Sequence, residues 1–328
     1  MREYIIRRLL LVPLIMFGVS LLTFMAFRII PGDAAVLICQ FNCTPESLTD
    51  IREELGLDEP WYQQYGEWLG VLKNDDGKFS GVLELDFGDS FFTKLPVSEE
   101  LNRRLPVTLE LMLMAMFLSV LLGIPPGVLS AVRPGSVSDL IARFTSVLWL
   151  SIPSFYLGIL VITFGGKWFG WSPPNFGTGT TTGFFDDPWL NIQTFFWPAL
   201  VLAVGIAAVI MRLTRSSMLE VMRNDYIRTA WSKGLKERAV VWRHALKNAM
   251  IPVVTIIGLQ VGTLIGGSVI IESVFGLNGM GIYLLEGILR RDLLVVQSLV
   301  LIFAVSYVVV NLVVDLTYAW LDPRIRYS

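Results

Sequence analysis

The sequence predicts an all-α polytopic membrane protein with six transmembrane helices, both termini in the cytoplasm, and a small extracytoplasmic element after the first helix. Of its 328 residues, 54% are hydrophobic and only 16% are charged, and the mean hydropathy is +0.61. Soluble domains carry about 25% charged residues. Lipid rather than water is therefore the expected surrounding of most of the chain.

Six apolar stretches are long enough to cross a bilayer. A helix needs roughly 20 apolar residues to span about 30 Å of hydrocarbon, because lipid offers no partner to backbone N–H and C=O groups. The predicted spans are Leu9–Ile30, Leu105–Val132, Phe144–Trp168, Ile192–Met211, Met250–Phe275 and Leu294–Tyr318. The chain then divides into residues 1–30 with the first span, an extracytoplasmic element at 31–104, and a core at 105–328.

Positive charges in the short loops predict the orientation, because Lys and Arg resist translocation. Arginines precede the first span and close the chain, and nine basic residues lie between spans four and five, against three acidic ones. Residues 31–104 hold six basic and fifteen acidic residues, which is typical of the opposite side. The first span lacks a small-residue cleavage site and is interpreted as a retained signal anchor.

Two short helices are expected in the extracytoplasmic element. Thr44-Pro45-Glu46 supplies a hydroxyl cap, a proline at the first helical position and an acid near the positive end of the helix dipole. Gly56 would end that helix, and a second helix is predicted from Trp61 to Leu72. The extracytoplasmic element would either shield the outer mouth or dock a soluble partner.

The only two cysteines, Cys39 and Cys43, lie on the predicted outer side, where oxidising conditions permit a disulfide. A loop this short constrains disulfide geometry, so the two cysteines form either a bridge or two packed thiols. Two cysteines and a single histidine do not make a metal site, and none is expected. The formal net charge of -2 gives no bulk attraction to nucleic acid.

The cytoplasmic loop at residues 212–249 carries the clearest functional pattern. Its composition favours helices over Thr214–Asn224, Asp225–Lys233 and Lys236–Asn248, with Gly234 placed to end the second in a left-handed conformation. A helix, turn and helix on the membrane surface can fill a groove on a partner. The side chains offered to that groove would be Tyr226, Ile227, Ala230 and Leu235. The alternative is a solvated basic face that meets anionic lipid.

The run from Asp225 to Leu235, continued from Arg243 to Pro252, resembles the coupling loop of binding-protein-dependent ABC importer permeases, in the dipeptide/oligopeptide/nickel branch. The general signature is Glu-Ala-Ala, three residues, then Gly. Here Arg228-Thr229-Ala230, three residues and Gly234 replace the glutamate and the first alanine, as the peptide branch allows. Further runs similar to the first permease subunit of that branch are Leu55–Pro60, Arg104–Leu111, Ser151–Phe155, Glu272–Gly281 and Leu321–Arg324.

The resemblance implies a non-catalytic translocation subunit in the inner (plasma) membrane of a prokaryote. It implies a second related permease subunit, two cytoplasmic ABC ATPase subunits and an extracytoplasmic solute-binding protein as partners. ATP and Mg would be used by the ATPase partners, and no cofactor is expected on this chain, which has no Gly-x-x-x-x-Gly-Lys phosphate loop. The implied solutes are dipeptides, oligopeptides or similar small molecules. The implied coupling residues are Tyr226, Ile227, Arg228, Thr229, Ala230, Lys233, Gly234 and Leu235.

Charged residues and glycines in the spans suggest further sites. Arg28 and Glu272 are candidates for the translocation pathway, because charge at membrane depth is costly without a role or a partner; structural pairing is the alternative for each. Gly258, Gly262 and Gly266 recur along one face of the fifth span and permit close approach of another helix. That helix belongs either to the second permease subunit or to this one.

Two other classes of protein compete with an importer subunit. A proton-coupled secondary transporter would use Glu110, Glu272 or Asp315 as a proton carrier. It ordinarily contains repeated halves, and the sequence has no half-repeat. A membrane enzyme would need a nucleophile, a metal cluster or an acid and base pair, and the sequence suggests no catalytic residues. The importer permease is favoured, with the secondary transporter as the alternative.

Overall fold

The computed structural model describes the chain except residues 1, 30–34, 37–43, 55, 57, 74–78, 175–180 and 322–328. Within these residues the regular structure is helical, and β pairing is limited to an isolated bridge between Asp89 and Pro96. The main helices are α1 (Arg2–Ile29), α2 (Pro45–Glu54), α3 (Trp61–Leu69), α4 (Val97–Val132), α5 (Val137–Ser151), α6 (Ser154–Phe169), α7 (Pro188–Val221), α8 (Asp225–Ser232), α9 (Glu237–Phe275), α10 (Met280–Arg290) and α11 (Leu293–Leu321).

Candidate membrane crossings are fewer in the described residues than the sequence predicted. Four helices, α4, α7, α9 and α11, are long and apolar enough to cross a bilayer. The pair α5 and α6 makes a fifth if it is counted as one broken span, and α1 contributes the shorter apolar stretch Leu10–Ala26. The protein is therefore a polytopic helical membrane protein with four or five candidate crossings in its described part.

The predicted third span, Phe144–Trp168, is not one continuous helix but falls on two helices separated by a bend. α5 ends at Ser151, Pro153 precedes α6, and the two helices are bent by 96°. Proline has no amide hydrogen and disfavours helical backbone at the residue before it. Ile152 is accordingly extended, with φ of -100° and ψ of 120°.

The chain divides into two compact units, one of residues 1–5, 107–278 and 307–328, the other of residues 6–106 and 279–306. In the first unit α7 is the central helix, since 72% of its most apolar 18-residue stretch is buried, against 33% of the corresponding stretch of α4. A Cβ added at Gly123 of α4 would lie 2.7 Å from the Ile210 side chain of α7. Glycine is thus needed there for the close contact between these two helices.

In the second unit, α2 and α3 follow the sequence prediction closely. The Thr44 hydroxyl accepts a hydrogen bond from the Ser47 amide at 3.1 Å, and Gly56 has φ of 59°. α3 ends earlier than predicted, at Leu69, because Gly70 follows with φ of 83° and the amide of Leu72 donates back to the Gly66 carbonyl at 3.0 Å.

The aromatic side of α3 packs against α1. The Tyr65 hydroxyl lies 2.7 Å from that of Ser20, and the Phe24 and Tyr65 ring centroids are 5.0 Å apart. Trp68 is buried in the same cluster. These contacts attach the short helix to the first apolar helix.

A set of polar contacts lies near α10 in the second unit, and α10 is outside the candidate crossings. Asp292 is buried and accepts a hydrogen bond from Ser90 at 2.6 Å. The Arg104 guanidinium lies over the Tyr283 ring, 4.6 Å from its centroid, and pairs with Glu100 at 2.8 Å. Burial, with a contribution from the Asp292 charge, raises the pKa of Tyr283 to about 12. Tyr283 therefore acts as a neutral aromatic support for the guanidinium.

Candidate functional site

The segment that the sequence marked as a coupling loop folds into a helical hairpin, here the α8 hairpin, residues 225–245. α8 begins after Asn224, and Gly234 follows its end with φ of 75°. The Gly234 amide donates to the Trp231 carbonyl at 2.9 Å. The left-handed glycine turn is the one that the sequence predicted.

Both arms of the hairpin continue into long helices. The predicted helical residues Thr214–Asn224 are the end of α7, which runs without interruption to Val221. The predicted helix Lys236–Asn248 is likewise the start of α9, wound as a π-helix over Val240–Ala245. π segments are rare and frequent at functional sites. The hairpin is therefore an extension of two apolar helices rather than a free loop.

The apolar face of α8 is buried inside the chain. Ile227 and Ala230 pack against Val128 of α4, Met218 of α7 and neighbouring residues of α9. The prediction that Ile227 and Ala230 fill a groove on a partner is wrong, because α4, α7 and α9 already cover them. These two residues anchor α8 instead.

The other face of α8 and the turn after it are exposed. Tyr226 and Trp231 each keep 42% of their surface, and Leu235 keeps 39%. The Tyr226 hydroxyl accepts a hydrogen bond from the Asn248 side chain at 2.7 Å, which fixes the ring. Other exposed positions that the sequence selected are Arg228, Thr229, Lys233 and Gly234. Trp231 was missed, although a large aromatic residue in a charged segment is itself a signal of recognition.

Asp139, in the first turn of α5, accepts hydrogen bonds from Arg215 of α7 through both carboxylate oxygens, at 2.8 and 3.2 Å. Ser130 at the end of α4 donates to it at 2.5 Å, and the Gly135 amide at 2.9 Å. No local pattern in the sequence marks this cluster, since its members are widely spaced along the chain.

Glu272 is fully buried near the end of α9. The Thr108 hydroxyl of α4 donates to its carboxylate at 2.7 Å, and its backbone carbonyl accepts from the Leu277 amide at 2.9 Å. This arrangement favours structural pairing over exposure to a pathway. The side chains of Arg28 and Asp315, like Cys39 and Cys43, lie outside the described residues.

The three glycines of the fifth predicted span have different surroundings. A Cβ on Gly258 would overlap Val314 of α11, and one on Gly262 would lie 3.2 Å from the Tyr307 ring of the same helix. Gly266 has open space around its Cα. Two of the three glycines therefore serve packing within this chain.

A groove of about 270 Å³ opens beside the bend between α5 and α6, against α7 and α9. Its polar side chains are Ser154, Gln260 and Thr263, and its remaining wall is mostly apolar. Apolar pockets with a few convergent polar groups are the usual form of small-molecule sites. These residues were not predicted from the sequence, because single polar residues in apolar helices carry no local pattern.

Long apolar helices, a helical hairpin that continues two of them and a groove beside a broken helix describe a polytopic membrane protein. The chain belongs to the family described as "Binding-protein-dependent transport system inner membrane component", whose profile matches residues 123–327. The N-terminal profile of the same system, "Binding-prot-dependent transport system membrane comp, N-term", matches residues 1–112. The protein is thus an integral component of the inner membrane.

Full-length bacterial relatives agree with this assignment. The chain is 40% identical over 349 residues to the dipeptide transport system permease protein DppB of Escherichia coli K12. It is 40% identical over 330 residues to the oligopeptide transport system permease protein AppB of Bacillus subtilis, and 37% identical over 343 residues to DppB of Alkalihalophilus pseudofirmus. All of this chain and all of each relative are covered.

A solved structure supports the fold. One chain of the MetNI methionine ABC transporter, in an inward-facing conformation, matches with a TM-score of 0.53 at 21% identity. The match covers 68% of this chain and 97% of that one.

Proposed function

We propose that this chain is the permease subunit of an ATP-driven importer for dipeptides or oligopeptides, which an extracytoplasmic solute-binding protein delivers. The observation that carries the proposal is the full-length identity of 37% to 40% with permeases named for dipeptide and oligopeptide transport. The exposed aromatic face of the α8 hairpin supports it, because a pathway subunit driven from outside needs a docking surface.

The working importer contains a second related permease and two ATPase subunits, which use ATP and Mg. In it, α1 and the pair α5 and α6 complete six crossings, with both termini and the α8 hairpin in the cytoplasm. Residues 31–104 form the extracytoplasmic element and residues 105–328 the permease core. The inner membrane of a prokaryote is the location, as for the bacterial relatives.

Coupling in this proposal is mechanical. An ATPase subunit contacts Tyr226, Trp231 and Leu235, while Ile227 and Ala230 hold α8 to the ends of α4, α7 and α9. Because α8 cannot slide on a packed apolar cluster, a push on its exposed face moves those helix ends together. Alternating access requires such a collective movement of helices around the solute.

The solute passes along the groove beside the α5–α6 bend. Ser154, Gln260 and Thr263 can hydrogen-bond to a peptide backbone, whose donors and acceptors are common to all peptides. Side-chain selectivity then rests on the binding protein. Gly266 leaves the adjacent surface of α9 open for the second permease subunit.

Reconstitution in vesicles tests the proposed function. The complete importer, with the second permease, both ATPases and the binding protein, should accumulate a labelled dipeptide against its gradient only when ATP is supplied. A matched complex whose ATPases lack the phosphate-loop lysine should show background uptake. Uphill uptake by this chain alone, driven by a proton gradient, would establish the secondary transporter instead.

A further inference from the structure

Asp139 lies where three helices meet beside the α8 hairpin. It is only 1% exposed, and its carboxylate is bound by Arg215 of α7, Ser130 of α4 and the Gly135 amide of the connection. Nε of Arg215 also donates to the Ser130 hydroxyl at 2.9 Å. A guanidinium that binds both oxygens of a carboxylate fixes direction as well as distance.

The rest of the contact face of α5 is made of small residues. Besides Asp139, its buried positions are Ala142 and Ser146. The large side chains of α5 are exposed instead, namely Val137, Leu140, Ile141, Phe144 and Val147. Small buried side chains give little interlocking with α7, so the charged pair is the contact that sets the position of α5 along α7.

The same ends of α4 and α7 hold α8. Met218 lies one turn after Arg215 and belongs to the apolar cluster that contains Ile227. Val128 and Ala131 flank Ser130 on α4 and belong to the same cluster. At its other end α5 leads to Trp149, Leu150 and Ile152, which line the groove at the bend. The pair thus stands between the docking hairpin and the groove.

We propose that Asp139 and Arg215 are positioning residues that carry displacement of the α8 hairpin into α5, and so into the wall of the groove. This inference rests on the proposed function. Removal of one partner of a buried ion pair is destabilising in itself, so a directional role is judged by coupling and not by stability. The pair therefore sets how much transport each ATP yields.

The test compares dipeptide molecules imported per ATP hydrolysed in the reconstituted complete importer. Asp139→Asn keeps the size of the side chain but removes the charge that holds the guanidinium, and should lower this ratio about tenfold, the equivalent of one lost charge-assisted contact. ATP hydrolysis itself should continue. Arg143→Gln is the matched control, because Arg143 lies 3.5 Å from the same carboxylate but is half exposed and on α5 itself; its ratio should equal that of the native chain.

Two further variants keep the test decisive if Asp139→Asn fails to insert. Arg215→Lys keeps the charge and loses the two-pronged contact, and Ser130→Ala removes the shared hydroxyl; both should lower the ratio by a smaller factor. An unchanged ratio in inserted variants, or uptake and hydrolysis that fall in proportion, would overturn the inference. Absence of ATP-driven uptake in the native complex would instead overturn the proposed function.

Discussion

Aromatic residues on two short helices outside the long apolar stretches face opposite ways. On α3, Tyr65 and Trp68 turn inward against α1 and are almost fully buried, although the other two aromatic side chains of this helix are exposed. On α8, Tyr226 and Trp231 turn outward, and the aliphatic residues are the buried ones. The buried aromatic pair of α3 stabilises its contact with α1, whereas the exposed rings of α8 leave apolar area for a partner.

The largest effect is expected for Trp68→Ala on α3. Loss of the buried indole should reduce the free energy of unfolding of this segment by about 4 kcal/mol, because a large cavity is left against Phe24 and Tyr65. Hydrogen exchange of residues 61–72 measures this loss. Trp61→Ala is the control on the same helix, since Trp61 is 49% exposed, and exchange as slow in Trp68→Ala as in Trp61→Ala would contradict the packing.

Ile227→Ala on α8 should have the second-largest effect. It should reduce the free energy of unfolding by about 3 kcal/mol, because it leaves a cavity in the cluster that joins α8 to α4, α7 and α9. The thermal unfolding midpoint of the purified permease in detergent is the measurement. Thr229→Ala removes an exposed side chain from the same helix and should leave the midpoint unchanged. Equal midpoints for the two variants would show that Ile227 faces a partner after all.

Trp231→Ala should have the smallest effect on the stability of the isolated chain, but it should clearly weaken assembly with the ATPase subunits. Its exposed ring contributes to docking, so affinity for the ATPase subunits should fall by about 2 kcal/mol, or about 30-fold, with no change in thermal midpoint. Titration of labelled permease with ATPase subunits measures this. Trp189→Ala, at an exposed tryptophan on α7, should bind normally, and a Trp231→Ala variant that also binds normally would move the docking surface elsewhere.

The sequence predictions that are confirmed rest on local signals. The cap at Thr44 and the left-handed turns at Gly56 and Gly234 each depend on a few consecutive residues, and they formed as expected. The family also followed from sequence, because its motifs are runs of adjacent residues. Such features need no knowledge of the rest of the fold.

The failures depend on residues that are distant along the chain. Ile227 has the spacing of a docking residue, but α4, α7 and α9 cover it, and no local pattern records that. The pairing of Asp139 with Arg215 joins residues 76 positions apart. The break at Pro153 was a local signal that hydropathy alone did not show, because the two flanking helices are apolar enough together to look like one span.

The length of α9 has a mechanical consequence. At 1.5 Å per residue, its 39 residues reach about 58 Å, nearly twice the roughly 30 Å of bilayer hydrocarbon. A substantial part of this helix therefore projects beyond the lipid as an arm. A tilt of about 5° about one end would displace the other end sideways by roughly 5 Å, a distance close to the rise of one helical turn. A small rotation at the hairpin therefore suffices to move side chains at the far end of the same helix.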